Sequence, residues 1–263
     1  MNPLAESGLA KAPDGTHIAY QVNGDGPPLL LLAGQANNHH WCDGVRDDFA
    51  GVRTTITLDY RGTGDSDKPD APYSIEIFAQ DALAVLDHLG IESADLYGTS
   101  MGGRTAQVIA GRFPQRVRKL ILGCTSPGGA HGIERSDAVR RSLAQLDRNA
   151  ARQALAELMY TPAWLAEHPG PHQTMGDLDM PDHARRHHLR ASAGHDAWDL
   201  LPAIRSQTLV LHGADDVFNP AANAPLITGR IPDARLLMVE GARHAYFEEF
   251  RSVAGPLALD FLD

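Results

Sequence analysis

The chain has 263 residues, 43% of them hydrophobic, and a formal net charge of −10 at pH 7. Its length allows one large α/β domain with an inserted segment, and the lack of a basic tract argues against a nucleic-acid partner. No run approaches the roughly 18 apolar residues of a membrane span, and no secretion signal opens the chain. We therefore expect a cytoplasmic protein without a membrane partner. Cys42 and Cys124 show no CxxC spacing and predict neither a disulfide framework nor a metal site.

The first predicted element is an antiparallel hairpin. Residues 17–22 alternate apolar and polar side chains, and the turn-forming sequence Asn-Gly-Asp-Gly-Pro-Pro follows them. Six short apolar runs without alternation come next, which is typical of strands covered on both faces. They begin at Pro28, Thr54, Ala94, Lys119, Thr208 and Ala234.

Helical periodicity separates these runs. Apolar residues between 75 and 89 recur at helical spacing, with Ser74 as a potential N-cap and Gly90 at the end. Alternating strands and helices predict a mostly parallel central sheet with an N-terminal antiparallel hairpin and helices on both faces.

Residues 128–200 break this alternation. They contain no buried-strand run, only helix-like pieces such as residues 137–159 and a stretch rich in proline and histidine. We interpret the segment as a helical cap inserted after the sixth strand, over the carboxyl edge of the sheet, where open α/β sheets bind ligands. The predicted division is a core domain of residues 1–127 and 201–263 and a cap of residues 128–200.

A Gly-x-Ser-x-Gly sequence surrounds Ser100, between the apolar run at residues 94–98 and a helix-compatible segment. In this context the serine projects from a strand-to-helix turn, and glycines leave room for the close backbone. The helix N-terminus directs backbone N–H groups at negative charge that develops there. The motif predicts a nucleophile. As a pentapeptide alone it is also compatible with a glycine-rich β-α turn that carries an incidental serine.

Partners for the serine follow two later strands. Such a nucleophile needs a histidine base and a carboxylate that orients the base, in the chain order serine, acid, histidine. Asp215 and Asp216 come after the run that begins at Thr208, and His244 comes after the last run. The acid is therefore Asp216 or its neighbour Asp215. The oxyanion hole should combine the N–H of Met101 with one from the loop after the first parallel strand.

At these residues the chain resembles the α/β-hydrolase superfamily, and more closely its 3-oxoadipate enol-lactonase-like branch. The resemblance implies the α/β-hydrolase fold, with Ser100 as nucleophile, His244 as base and Asp216 as acid, and Gln35 and Met101 as donors of the oxyanion hole. One departure is Ala33-Gly34, where the superfamily usually has His-Gly. The matching segments are residues 58–69, 73–104, 113–129, 209–220 and 241–250.

Further residues are candidates for contact with substrate. Arg104 lies one helical turn after Ser100, where it could meet an anionic group or pair with the cap. Trp41 matches a tryptophan common in enol-lactonase-like sequences, His39 flanks the oxyanion loop, and Trp164 could belong to an apolar lid or to the core of the cap. His183 and His187 have metal-ligand spacing but lack the glutamate of the zinc-protease motif, so no metal and no cofactor are expected.

The expected function is hydrolysis of a carboxylic ester or lactone, enol lactones included, by a serine hydrolase that needs no cofactor. Two alternatives remain open at this point. A carbon-carbon bond hydrolase or a lyase, similar to the menaquinone-pathway synthases of this fold, could use the same triad, and a non-catalytic ligand receptor could use the same fold. The expected partner is a small-molecule ester or lactone, with the protein as monomer or homodimer.

Overall fold

The computed structural model describes residues 6–263. Within them, eight strands form one sheet in the spatial order first, second, fourth, third, fifth, sixth, seventh, eighth. The first two strands pair antiparallel, the second also runs antiparallel to the fourth, and all later neighbours are parallel. The predicted mostly parallel sheet with an N-terminal antiparallel hairpin is confirmed. The strands are β1 (Glu6–Lys11), β2 (His17–Asn23), β3 (Pro28–Leu32), β4 (Thr54–Leu58), β5 (Ala94–Thr99), β6 (Val117–Gly123), β7 (Gln207–Gly213) and β8 (Ala234–Val239).

The hairpin forms at a different turn from the one predicted. Lys11 pairs with His17, and Gly15 adopts φ +91° in the turn between them. The turn-forming sequence after residue 22 instead leads from β2 to β3, which are not neighbours. The predicted turn position was wrong because the second partner of β2 is β4, with Tyr20 opposite Leu58.

Helices flank the sheet, and the predicted limits of the helix at Ile75–His88 are confirmed. The Ser74 hydroxyl accepts a hydrogen bond from the Ile77 N–H at the start of this helix, and Gly90 at its end adopts φ +68°. The helices are α1 (Asp43–Ala50), α2 (Ile75–His88), α3 (Met101–Arg112), α4 (Asp137–Leu143), α5 (Arg148–Met159), α6 (Pro162–Glu167), α7 (Asp182–Ala193), α8 (Asn223–Thr228), α9 (Tyr246–Glu249) and α10 (Arg251–Leu262).

Residues 128–200, called the cap segment below, hold α4 to α7 between β6 and β7. The helix-like piece at residues 137–159 is two helices, because the chain leaves helical geometry after Leu143 and Asp147 caps α5 by accepting from the Asn149 N–H. The division into a core domain and a cap domain stays a prediction.

The centre of the sheet is the centre of the core. Every residue of β5 is buried, whereas β8 lies at the edge of the sheet and is mostly half-exposed. The expectation that all parallel strands are covered on both faces was therefore wrong for β8, which has a neighbour on one side only. Across residues 6–263, every helix is too short or too polar to cross a bilayer.

Candidate active site

Backbone strain collects at the carboxyl edge of the sheet. Within residues 6–263, positive φ outside glycine occurs at Ala36 (59°), Ser100 (57°) and Cys124 (38°). These residues follow β3, β5 and β6, which are neighbours in the sheet. A left-handed conformation is unfavourable for residues with a Cβ and persists only where the surroundings impose it, which is common at functional sites. The strain marks this edge as the candidate site.

Close backbone packing explains the glycines around Ser100. A Cβ on Gly98 would lie 2.3 Å from the Gly102 carbonyl oxygen, and a Cβ on Gly102 would lie 2.1 Å from the Leu32 carbonyl oxygen. The serine itself is anchored, because its N–H donates to the Gly123 carbonyl at 2.9 Å. The turn therefore admits no side chain at either glycine, as the motif predicted. It leaves Ser100 half-buried at the start of α3.

The structure brings Asp216 and His244 together. His244 Nδ1 lies 2.7 Å from Asp216 Oδ2, and the two side chains are 1% and 0% exposed. An imidazole that donates from Nδ1 to a carboxylate presents Nε2 as its basic nitrogen. In the described part of the chain, His244 Nε2 is buried and has no hydrogen-bond partner. It makes no hydrogen bond to the Ser100 hydroxyl in this structure and is available to accept one.

Three groups donate hydrogen bonds to the Asp216 carboxylate, and a second imidazole lies beside it. The donors are His244 and the backbone N–H groups of Phe218 and Asn219, both 2.9 Å from Oδ1, while His212 Nε2 lies 3.3 Å from Oδ2. Burial by itself would raise the pKa of Asp216, but the charges and hydrogen bonds of the two histidines outweigh it and lower the pKa to about 2. Asp216 is thus a carboxylate at every ordinary pH.

Asp215 occupies a different environment from its neighbour. It is exposed, and its backbone N–H donates to the Ala242 carbonyl. Of the two carboxylates that the residues left open, the tertiary structure brings Asp216 to the histidine.

The two predicted oxyanion donors are available. Neither the Gln35 N–H nor the Met101 N–H donates a hydrogen bond to any residue between 6 and 263. Met101 is the first residue of α3, so its N–H has no acceptor inside the helix. The Gln35 carbonyl accepts from Asn37 Nδ2 at 2.9 Å, which helps hold the loop after β3. Both N–H groups remain candidates for binding an oxyanion.

Arg104 and Trp41 make protein contacts. Arg104 Nη1 donates to the Ser192 carbonyl in the last turn of α7, so the arginine links α3 to the cap segment. Trp41 is buried, and its Nε1 donates to Thr99 Oγ1 at 2.8 Å. Its ring lies so close to Gly34 that a Cβ there would be 2.6 Å from it. Substrate contacts of both residues stay predictions.

His39 and Trp164 lie in two further environments. His39 Nδ1 is 2.8 Å from Asp59 Oδ1, and this hydrogen bond, acting against burial, raises the pKa of His39. Trp164 stacks on Tyr160 with 4.2 Å between ring centres and on His168 with 4.4 Å, all within the cap segment. Their contacts with substrate also stay predictions. No cluster of three or more potential metal ligands occurs in residues 6–263.

Sequence reasoning missed His212 and Phe218. His212 Nε2 donates to the Asn219 carbonyl at 2.9 Å as well as facing Asp216, and the Phe218 ring lies 4.8 Å from the ring of His244. Both flank the Asp216 turn, and His212 is the penultimate residue of the apolar strand β7, a buried position where a polar side chain is unusual. That polarity was the available signal.

A family model described as the alpha/beta hydrolase fold matches residues 27–158, half of the chain. The chain belongs to the alpha/beta hydrolase family. The predicted superfamily resemblance is therefore confirmed. The curated relatives of this alpha/beta hydrolase include a 2-hydroxymuconate semialdehyde hydrolase of Pseudomonas sp. (strain CF600), 31% identical over 91% of this chain and 88% of the relative. They also include a putative carbamate hydrolase RutD of Azorhizobium caulinodans, 27% identical over 93% of this chain and 94% of the relative.

Solved structures show the same fold. The enol-lactonase from Burkholderia xenovorans LB400 superposes with a TM-score of 0.84, over 97% of this chain and 99% of that one. Its sequence identity is 21%, so the likeness supports the architecture alone. Together the relatives support a hydrolase activity for this member of the family. Its substrate has to be argued from the site.

Proposed function

We propose that the protein is a cofactor-free serine hydrolase that cleaves a carboxylic ester or lactone through an acyl-enzyme intermediate. The observation that carries the proposal is the buried Asp216–His244 pair with a free Nε2, at the same sheet edge as the strained Ser100. These groups lie at the ends of β5, β7 and β8, within four neighbouring strands of the sheet. A serine, a histidine and a carboxylate in these roles are the requirements of acyl transfer.

We infer the proton transfers from the roles that the three side chains take in acyl transfer. His244 Nε2 takes the proton of the Ser100 hydroxyl while Oγ attacks the carbonyl carbon of the substrate. Asp216 stays ionised, because its pKa is about 2, and stabilises the imidazolium. The N–H groups of Gln35 and Met101 bind the oxyanion. The tetrahedral intermediate collapses to the acyl-enzyme as His244 protonates the leaving alkoxide. Water then attacks the acyl-enzyme while His244 takes its proton, and the return of that proton to Ser100 Oγ releases the acid.

The test compares hydrolysis of short-chain p-nitrophenyl esters by the native protein and by Ser100→Ala. We expect Ser100→Ala to lower kcat by at least about 10³-fold, because the nucleophile is lost while oxyanion and substrate binding remain. Ser126→Ala is the matched control: Ser126 is a buried serine that follows the neighbouring strand β6. The control should retain kcat within about threefold. A Ser100→Ala variant as active as the native protein would contradict the proposal.

The acyl-enzyme step has its own measurement. A fluorophosphonate forms a covalent bond to an activated serine and expels fluoride, so intact-mass analysis should show one adduct on the native protein and none on Ser100→Ala. An adduct that persists in Ser100→Ala would place the reactive nucleophile elsewhere.

A second candidate is carbon-carbon bond hydrolysis by the same residues. The 31% identity to a 2-hydroxymuconate semialdehyde hydrolase over most of both chains favours it. That compound is the discriminating substrate, since its conjugated chromophore is lost on cleavage. Ser100-dependent cleavage of it with no turnover of esters would replace the ester proposal by this one.

We also infer that the cap segment covers the substrate. The hydrogen bond from Arg104 to the Ser192 carbonyl supports this, because it holds α7 beside α3 one turn from the nucleophile.

A further inference from the structure

The loop after β3, residues 33–38, is called the oxyanion loop below, and it is hydrogen-bonded to the cap segment. Within residues 6–263, three hydrogen bonds join the two. Two of them come from backbone groups of the cap segment. The Asp177 N–H donates to the Ala36 carbonyl at 2.7 Å, and the Gly176 N–H donates to Asn37 Oδ1 at 2.9 Å. The oxyanion loop is therefore held from outside the sheet.

His188, on α7, supplies the third bond from its side chain. The Ala36 N–H donates to His188 Nδ1 at 3.3 Å, and His188 Nε2 lies 2.9 Å from the Arg61 carbonyl oxygen. Because a carbonyl oxygen only accepts, Nε2 carries the proton of the ring and Nδ1 keeps its lone pair for the Ala36 N–H. One imidazole ring thus connects the oxyanion loop to the loop after β4.

The surroundings of His188 keep its ring neutral. The side chain is buried, and its ring centre lies 4.8 Å from that of Phe78 and 5.7 Å from that of Tyr73. Burial lowers the pKa of His188 to about 4, since a charged imidazole is disfavoured away from water. At neutral pH, Nδ1 is therefore an acceptor, as the bond from the Ala36 N–H requires.

The peptide groups around the Gln35 N–H are fixed by hydrogen bonds. The Gln35 carbonyl accepts from Asn37 Nδ2 at 2.9 Å, and the N–H of the same peptide group, that of Ala36, is the one bound to His188. The Gly34 carbonyl, in the peptide group that contains the Gln35 N–H, accepts from the Asn37 N–H at 3.3 Å. These bonds also hold Ala36 at its unfavourable φ of 59°. The Gln35 N–H itself stays available for an oxyanion.

We propose that His188 is a positioning residue of the oxyanion hole: by binding the Ala36 N–H, it holds the oxyanion loop so that the Gln35 N–H points at the developing oxyanion. This inference rests on the proposed function and adds a residue of the cap segment to it. The oxyanion forms only after the nucleophile attacks, so a misplaced donor weakens binding of the transition state and not of the substrate. Loss of the His188 contact should therefore lower kcat and leave KM nearly unchanged.

A purely structural role of His188 predicts a different pattern. If the ring only fastens α7 to the core, loss of its bond to the Arg61 carbonyl should matter as much as loss of its bond from the Ala36 N–H. Both losses would then lower the stability of the fold, with no particular effect on kcat. Two replacements that each keep one of the two bonds separate these roles.

His188→Gln and His188→Asn divide the two bonds between them. The glutamine amide nitrogen reaches the position of Nε2 and can donate to the Arg61 carbonyl, but the Ala36 N–H loses its acceptor. The asparagine oxygen lies near the position of Nδ1 and can accept from the Ala36 N–H, but the bond to Arg61 is lost. With a p-nitrophenyl ester, His188→Gln should lower kcat by about tenfold or more and keep KM within about threefold. His188→Asn should keep kcat within about threefold of the native protein.

His187→Gln is the matched control. His187 is the preceding residue of α7 and is also buried, but its Nε2 lies 2.9 Å from Asp70 Oδ1, outside the oxyanion loop. This variant should keep kcat within about threefold of the native protein. Equal losses of kcat in His188→Gln and His188→Asn, or a His188→Gln variant as active as the control, would overturn the positioning role.

Hydrogen exchange separates this inference from the proposed function, because it needs no substrate. Mass spectrometry of a peptide that covers residues 33–38 should show faster amide exchange in His188→Gln than in His188→Asn or the native protein. If no ester is hydrolysed and this difference is present, the proposed function fails and the hold of His188 on the oxyanion loop stands. If esters are hydrolysed and the two variants are equal in exchange and in kcat, the positioning role fails and the proposed function stands.

Discussion

Helix α3, which starts at the Ser100 turn, buries nine of its twelve residues, whereas α4 and α6 of the cap segment bury none of theirs. Within residues 6–263, the residues other than glycine that adopt positive φ also follow strands at the carboxyl edge of the sheet. Buried, closely packed positions tolerate little change, and exposed helices tolerate much. The comparison teaches that the proposed reacting groups belong to the closely packed edge, while the exposed helices α4 and α6 tolerate substitution more readily.

The largest effect that would sharpen this comparison is expected at Asp216. Asp216→Asn should lower kcat by about 10⁴-fold, since an amide no longer holds the His244 tautomer or stabilises the imidazolium. Asp215→Asn, one residue away but exposed, should keep kcat within about twofold. The measurement is ester hydrolysis by both variants, with circular dichroism to establish that they are folded. A comparable loss in Asp215→Asn would mean that the acid was assigned to the wrong residue.

A smaller effect, on stability, tests the rigidity of the edge. Gly102→Ala places a Cβ about 2.1 Å from the Leu32 carbonyl oxygen, in backbone that has no room to move. We expect the free energy of unfolding to fall by about 3 kcal/mol. Gly51→Ala is the control, because a Cβ there meets nothing within 4 Å and its φ is −73°.

Urea titration of both variants reports the difference. Equal stability of Gly102→Ala and Gly51→Ala would show that the edge can relax, and the contrast with the cap segment would be lost.

The smallest effect concerns two histidines buried in the cap segment. Burial lowers the pKa of His188 to about 4 and that of His195 to about 3. Between these values and the unfolded pKa of about 6.5, the unfolded state binds protons that the folded state does not. Stability is therefore intact above pH 6.5 and decreases as the pH falls. At pH 5, each of the two buried histidines should lower the free energy of unfolding by about 2 kcal/mol.

Urea unfolding at pH 7 and pH 5 checks this. The free energy of unfolding should differ between the two pH values by about 2 kcal/mol less in His195→Gln than in the native protein. His168→Gln, on the exposed surface of the same segment, should not change that difference. If the native protein is equally stable at both pH values, the cap segment has no such acid sensitivity. The cap segment would then differ less from the carboxyl edge of the sheet than the structure indicates.

Much of the fold could be predicted from the amino-acid sequence. Parallel strands buried at the centre of a sheet must be apolar along their whole length, so the runs at β3 to β7 were recognisable, as were the Ser74 cap and the Gly90 end of α2. The hairpin turn was misplaced, because alternation in β2 does not tell on which side its partner lies. The exposure of β8 was missed because edge position depends on strand order.

For the candidate site, the sequence by itself determined the residue types and the strand ends that carry them. Ser100, His244 and a carboxylate at 215 or 216 each follow an apolar strand, and parallel strands bring their carboxyl ends to one edge. The family resemblance favoured Asp216 over Asp215, and the tertiary structure shows that Asp216 contacts His244. Only the tertiary structure shows that His212 lies beside Asp216 and that Arg135 reaches Phe218. Such contacts join residues far apart in the chain, and their geometry depends on turns and packing that local sequence patterns do not encode.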